Sequence, residues 1–94
     1  MPIIKVRISP FLQDFTENRE TVQIEGRTVE ECLNNLEARF PGIQSQLGRY
    51  DGEQFKLFAD VSIEISSRNL HTDELATLLQ ENDELTIIVT AFGG

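Results

Sequence analysis

The residues of this chain best suited to chemistry are its last four, Ala91-Phe92-Gly93-Gly94. The last ten residues carry no charged side chain, although Asp73 to Glu84 holds five acids and no base. Two final glycines give the lowest steric profile the backbone allows, with wide φ/ψ freedom. Four residues reach at most about 13–14 Å from the body that carries them. Such an end suits delivery of the Gly94 carboxylate into a narrow channel in another protein's active site. Glycine-rich ends are also common in disordered tails, so the meaning of this one depends on the domain behind it.

Elsewhere the chemical inventory is thin. One cysteine, Cys32, excludes an internal disulfide, and one histidine, His71, with one cysteine cannot close a zinc site. Cys32 lies on an apolar helical stripe and reads as a small buried hydrophobe. His71 reads as a loop residue. The pairs Glu30-Glu31 and Asp73-Glu74 open helical turns, where acids are favourable, and are not acid–base dyads. No Ser-His-Asp set, phosphate-cradling glycine loop or metal-ligand spacing occurs. No catalytic side-chain constellation, bound cofactor or metal is expected.

The 94 residues make one compact domain, with residues 1–90 as its body and 91–94 as a flexible tail. A chain of this length buries roughly 60–65% of its unfolded surface, enough for one core but not for a deep enclosed cavity. That argues against a self-contained multi-substrate enzyme. Eight Lys plus Arg against sixteen Asp plus Glu give a net charge of −8. This balance argues against nucleic acid or an anionic membrane as partner, since both need basic residues to neutralise phosphates. No stretch approaches the ~20 apolar residues of a membrane span, and Met1 to Arg7 has no separate apolar signal core. A reduced, cytoplasmic protein is expected.

Ile4, Val6 and Ile8 alternate with Lys5, Arg7 and Ser9, the pattern of a half-buried first strand that Pro10 ends. Phe11, Leu12 and Phe15 tuck under the polar loop that follows, and Thr21 to Ile24 forms a second strand, antiparallel to the first. Thr28-Val29-Glu30-Glu31 is a capping box. Behind it Val29, Cys32, Leu33, Leu36 and Phe40 form the stripe of an amphipathic helix, which Pro41-Gly42 stops. Ile43 and Leu47 allow one more helical turn, and Tyr50 to Glu53 is a turn. Phe55 to Ile65 holds strands, with Ala59, Val61, Ile63 and Ile65 alternating. Ser66 to Asn69 is turn-like, a short strand follows near Leu70, and Asp73-Glu74-Leu75 opens a short helical turn. Leu85 to Thr90 is the final strand. A helix with one apolar side must cover one face of a sheet. The consistent architecture is an α+β roll, a mixed sheet wrapped around residues 28–40 with the first and last strands parallel neighbours.

These pieces together resemble the β-grasp fold, and in detail the MoaD/ThiS class of ubiquitin-like sulfur carriers. The resemblance spans essentially the whole chain. It is carried by Lys5-Val6-Arg7-Ile8, by Thr28 to Leu33, and by the helix exit Leu36-Glu37-Ala38-Arg39-Phe40-Pro41-Gly42. The strand Phe58 to Glu64, the turn-and-strand Glu81 to Ile87, and terminal Gly93-Gly94 complete it. Ile8-Ser9-Pro10-Phe11-Leu12 departs from the opening of molybdopterin synthase small subunits, and Ala91-Phe92 is bulkier than the usual residues there. The length favours the longer MoaD-like carriers, including those of cysteine biosynthesis, over the compact thiamin-pathway carriers.

The resemblance implies a carrier protein, not an enzyme, although such a chain can serve as the small subunit of a molybdopterin synthase. An E1-like adenylyltransferase would activate the Gly94 carboxylate with ATP, which the partner consumes. Sulfur would replace AMP, and the resulting thiocarboxylate would serve a pterin, thiazole or cysteine synthase. Gly94 is then the reacting residue and Gly93 its slender approach, with Ala91, Phe92 and Ile88 as partner contacts. Ile88 points outward, to be core on a covered sheet or a docking residue on an open one. Phe92 is either a clamp onto the sheet or an anchor in a partner pocket. Lys5 and Arg7 form a solvated outer face or a docking rim. The alternative function is a ubiquitin-like modifier joined to lysines through Gly94.

Overall fold

The computed structural model describes residues 1–72 and 74–90. The elements are β1 (Ile3–Arg7), β2 (Thr21–Glu25), α1 (Val29–Arg39), β3 (Gly48–Asp51), β4 (Gln54–Leu57), β5 (Val61–Ile65), β6 (Leu70–Thr72) and β7 (Glu84–Val89). Short 3₁₀ segments occupy Pro10–Thr16, Gln44–Gln46 and Ser66–Arg68. Five strands form a mixed sheet in the order β2-β1-β7-β5-β6, and β3 and β4 form a separate hairpin. β1 and β7 are parallel, with Val6 opposite Leu85, while β5 runs antiparallel to β7. This is the β-grasp arrangement, a sheet folded around one α-helix.

Alternation decides which face meets the helix. Ile4 and Val6, Val22 and Ile24, Val61, Ile63 and Ile65, and Leu85 and Ile87 are buried, and their intervening neighbours lie on the other face. Opposite them, Val29, Cys32, Leu33, Leu36 and Phe40 of the helical stripe join the same core. Cys32 is fully buried there. The helix starts as the capping box directs, with the Thr28 hydroxyl accepting the Glu31 amide at 3.1 Å. Glu31 reaches one residue further back than the simplest box, accepting the Arg27 amide at 2.9 Å.

Gly26 lets the chain turn tightly into α1. A Cβ there would lie 2.8 Å from both Cα and Cβ of Cys32, closer than packed carbons approach. At the other end Gly42 adopts φ +101°, a conformation few side chains tolerate. Glu37 holds that exit by accepting the amides of Gly42 at 2.9 Å and Gln44 at 2.8 Å. The outer edge of β2 is occupied by side chains of the helix. Asn35 donates to the Glu25 carbonyl at 2.8 Å and Arg39 to the Gln23 carbonyl at 3.0 Å. Filling those acceptors removes a template for strand addition.

Five local expectations change. Tyr50 and Asp51 lie in β3, opposite Phe55 and Gln54, so the turn narrows to Gly52 and Glu53. Phe11 is 62% exposed instead of tucked under its loop, because the 3₁₀ segment points Leu12 inward and Phe15 partly so. Ala59 is exposed because the chain turns there, and the buried alternation begins at Val61. Residues 74–77 form a turn closed by the Thr77 amide on the Glu74 carbonyl, 3.1 Å, and not a helix. Leu78 then bridges to Thr28, which commits this segment to extended pairing. His71 lies in β6, opposite Glu64, where a loop was expected. Asp73, Ala91, Phe92, Gly93 and Gly94 lie outside the described residues.

Candidate functional site at the end of β7

β7 is an interior strand of the sheet, held on one side by β1 and on the other by β5. Its last paired residue, Val89, sits opposite Val61 and packs partly into the core. The next residue is fastened twice. The Thr90 amide and the Thr90 hydroxyl both donate to the Asp60 carbonyl, at 2.8 and 3.2 Å. Asp60 is itself fixed by a turn in which the Val61 amide donates to the Phe58 carbonyl at 3.0 Å. The Phe58 amide in turn donates to the Leu47 carbonyl at 2.9 Å. The point at which residues 91–94 begin is therefore set by the sheet and by the loop before β5.

The opposite end of β7 is anchored by a polar cluster. Asp83, 4% exposed, accepts from Arg68 Nη2 at 2.9 Å, Ser67 Oγ at 2.8 Å and its near neighbour Gln80 N at 2.8 Å. Its carbonyl accepts the Lys5 amide at 3.1 Å, which joins the cluster to β1. A carboxylate buried this far is stable only when its oxygens are so filled. In the sequence Asp83 falls within the turn-and-strand Glu81 to Ile87 and carries no further mark. Its partners Ser67 and Arg68 are distant in sequence, so no local signal points to the cluster. The Asp60 carbonyl is equally invisible, being a backbone group.

Ile88 lies on the face of β7 away from Leu85 and Ile87, and is half-buried. It shares a shallow depression with Arg7, Phe11 and Thr86 on that outer face. Arg7 and Lys5 project to the same side as Ile88, and Arg7 forms an ion pair with Glu84. The hydrogen bond from Arg7 holds the Glu84 carboxyl below its ordinary range and raises the guanidinium further. Of the expected site residues, only Ile88 lies within the described residues. Ala91, Phe92, Gly93 and Gly94 follow from Thr90 outside them.

The body offers little chemistry of its own. Burial pushes the Cys32 thiol up to about 12, with nearby Glu31 adding to the shift. A thiol in that state is neither a nucleophile nor a ligand near neutrality. No group of three potential metal ligands occurs among the described residues. None of the described helices is long and apolar enough to cross a membrane.

A family profile described as the ThiS family matches residues 6–94. Among solved structures, the chain is similar to CysO of Mycobacterium tuberculosis, described as an antigen, with TM-score 0.81 and 26% identity. That match covers 92% of this chain and 97% of the other. The small archaeal modifier protein 1 of Methanosarcina acetivorans aligns with TM-score 0.82 and 24% identity, covering 100% and 98%. CysO in the BexX/CysO complex of Amycolatopsis orientalis aligns with TM-score 0.80 and 24% identity, covering 97% and 99%. No protein of curated function matches the sequence.

Proposed function

The chain belongs to the ThiS family of ubiquitin-like sulfur carriers, and from that membership we propose that Gly94 is the residue on which sulfur is carried. The chain is a carrier protein and not an enzyme. In the proposed cycle an E1-like adenylyltransferase joins the Gly94 carboxylate to the α-phosphorus of ATP and releases pyrophosphate. Sulfide sulfur then attacks the acyl carbon; the C–S bond forms as the C–O bond to AMP breaks. The Gly94 thiocarboxylate is the nucleophile handed to an acceptor enzyme of pterin, thiazole or cysteine synthesis.

The observation that carries this reading is the family match over residues 6–94, and beside it stands the double hydrogen bond from Thr90 to the Asp60 carbonyl. That bond supplies a hydrogen-bonded base from which four residues, two of them glycine, would extend into a partner. Gly93 and Gly94 would pass the partner's channel, with Ala91 and Phe92 against its mouth and Ile88 on the docking face. The BexX/CysO complex supports the expectation that a protein of this fold meets a partner protein.

The reading is tested with the adenylyltransferase from the same cell, by pyrophosphate exchange into ATP dependent on the added carrier. The wild-type chain should support exchange. A chain lacking Gly93 and Gly94 should fold and support none. Equal exchange by both would overturn the assignment.

A further inference from the structure

A cleft opens between the first turn of α1, the connection from β4 to β5 and the turn at residues 74–76. Its floor is apolar: Phe55 and Val61 are buried, while Leu57 and Leu75 are partly exposed and packed against the core. Its rim is acidic, with Glu30 on the helix side and Glu53 on the hairpin side. Lys56 also lines the wall, and its ammonium lies 3.4 Å from Asp51. The wall runs through Ala59 and Val61, the residues on either side of the Asp60 carbonyl that holds Thr90. The cleft therefore borders the stretch of chain to which Thr90 is bonded.

We propose that this cleft docks a basic segment of the protein that receives the tail. The segment lays an apolar side chain over Leu57 and Leu75 and sets Lys or Arg against Glu30 and Glu53. The charge of the rim selects a cationic partner, and the floor supplies the apolar contact that a rim of charges alone lacks. A partner that draws in residues 91–94 must close around Thr90, and this wall is the surface it then meets on the helix side of the sheet. The partner's identity rests on the carrier reading above; the chemistry of the cleft does not.

The test is a titration of the nitrogen-labelled full chain with acetyl-Lys-Lys-Leu-Lys-Lys-amide, followed by amide chemical shifts. Saturable shifts confined to the surroundings of Glu30, Leu57, Val61 and Leu75 are expected. Glu30→Gln with Glu53→Gln, which leaves the core untouched, should weaken binding about threefold. Leu75→Ala should weaken it about fivefold. Shifts spread over the whole acidic surface, or gathered on the outer face around Ile88, would overturn the proposal. So would a double Gln variant that binds as tightly as the parent. A chain lacking Gly93 and Gly94 should bind the peptide unchanged. A positive titration beside a failed exchange assay would thus remove the carrier reading and leave the cleft standing.

Discussion

The Asp60 carbonyl accepts both the amide and the hydroxyl of Thr90, at 2.8 and 3.2 Å. This joins the last residue before the tail to the loop that precedes β5. Thr90→Val keeps the amide bond and the side-chain shape but removes the hydroxyl bond. The exposed position limits the cost to about 0.5–1 kcal/mol. A thermal melt should fall by a few degrees. Thr90→Pro, which also removes the amide donor, should fall further, and an identical melt for both variants would contradict the double anchor.

Asp83 ties the start of β7 to Ser67, Arg68 and Gln80. Asp83→Ala should destabilise by about 1–3 kcal/mol, because it strands the Ser67 and Gln80 donors, while the partly exposed Arg68 guanidinium keeps the Leu78 carbonyl. Denaturant unfolding measures this directly. A loss below ~1 kcal/mol would mean that water replaces the carboxylate without cost.

Leu36 is fully buried against the sheet. Leu36→Ala should cost about 2–5 kcal/mol through lost transfer energy and the cavity it leaves. An unmoved melting transition would refute the placement of the helix stripe.

Cys32 carries the pH prediction. Its folded pKa, pushed up to about 12, lies above the ~8.5 of a free thiol. The unfolded chain therefore ionises first as pH rises. The contribution of the neutral thiol is complete below ~8.5 and is lost progressively as pH climbs toward the folded value. Stability should decline through this window by more in the parent than in Cys32→Ala. At neutral pH a thiol reagent should label Cys32 only as fast as the chain unfolds. Rapid labelling of the folded protein would contradict its burial.

Much of this architecture is legible in the residues. Thr28 and Glu31 announce the helix start, Leu36 and its stripe define the buried side, and the run from Leu85 to Val89 marks an interior strand. These signals are local, repeating over three to four residues in a helix and two in a strand. Phe11 misleads because three apolar residues in one short 3₁₀ segment, Phe11, Leu12 and Phe15, set no period that singles out the exposed one. Asp73-Glu74-Leu75 looks like a helix start, but Leu78 pairs with Thr28 and draws the chain out. Asp83 and the Asp60 carbonyl act through partners far away in sequence or through backbone atoms, which leave no pattern to read. Of the candidate site, the sequence displays the glycines and Ile88, whereas the anchor at Thr90 emerges only from the fold.

Gly94→Ala bears on the tail without touching the core. The variant should melt like the parent yet lose activation, because an added methyl group meets the partner's channel. Equal activation would remove Gly94 from the centre of the account.

The central claim, that Gly94 carries sulfur, is tested most directly by intact-mass analysis of the chain recovered from its own cells. The account predicts a species heavier by the difference between one sulfur and one oxygen, with fragmentation placing the change at Gly94. Recovery of the chain only as free carboxylate, or as adducts linked through Gly94 to lysines of other proteins, would contradict it.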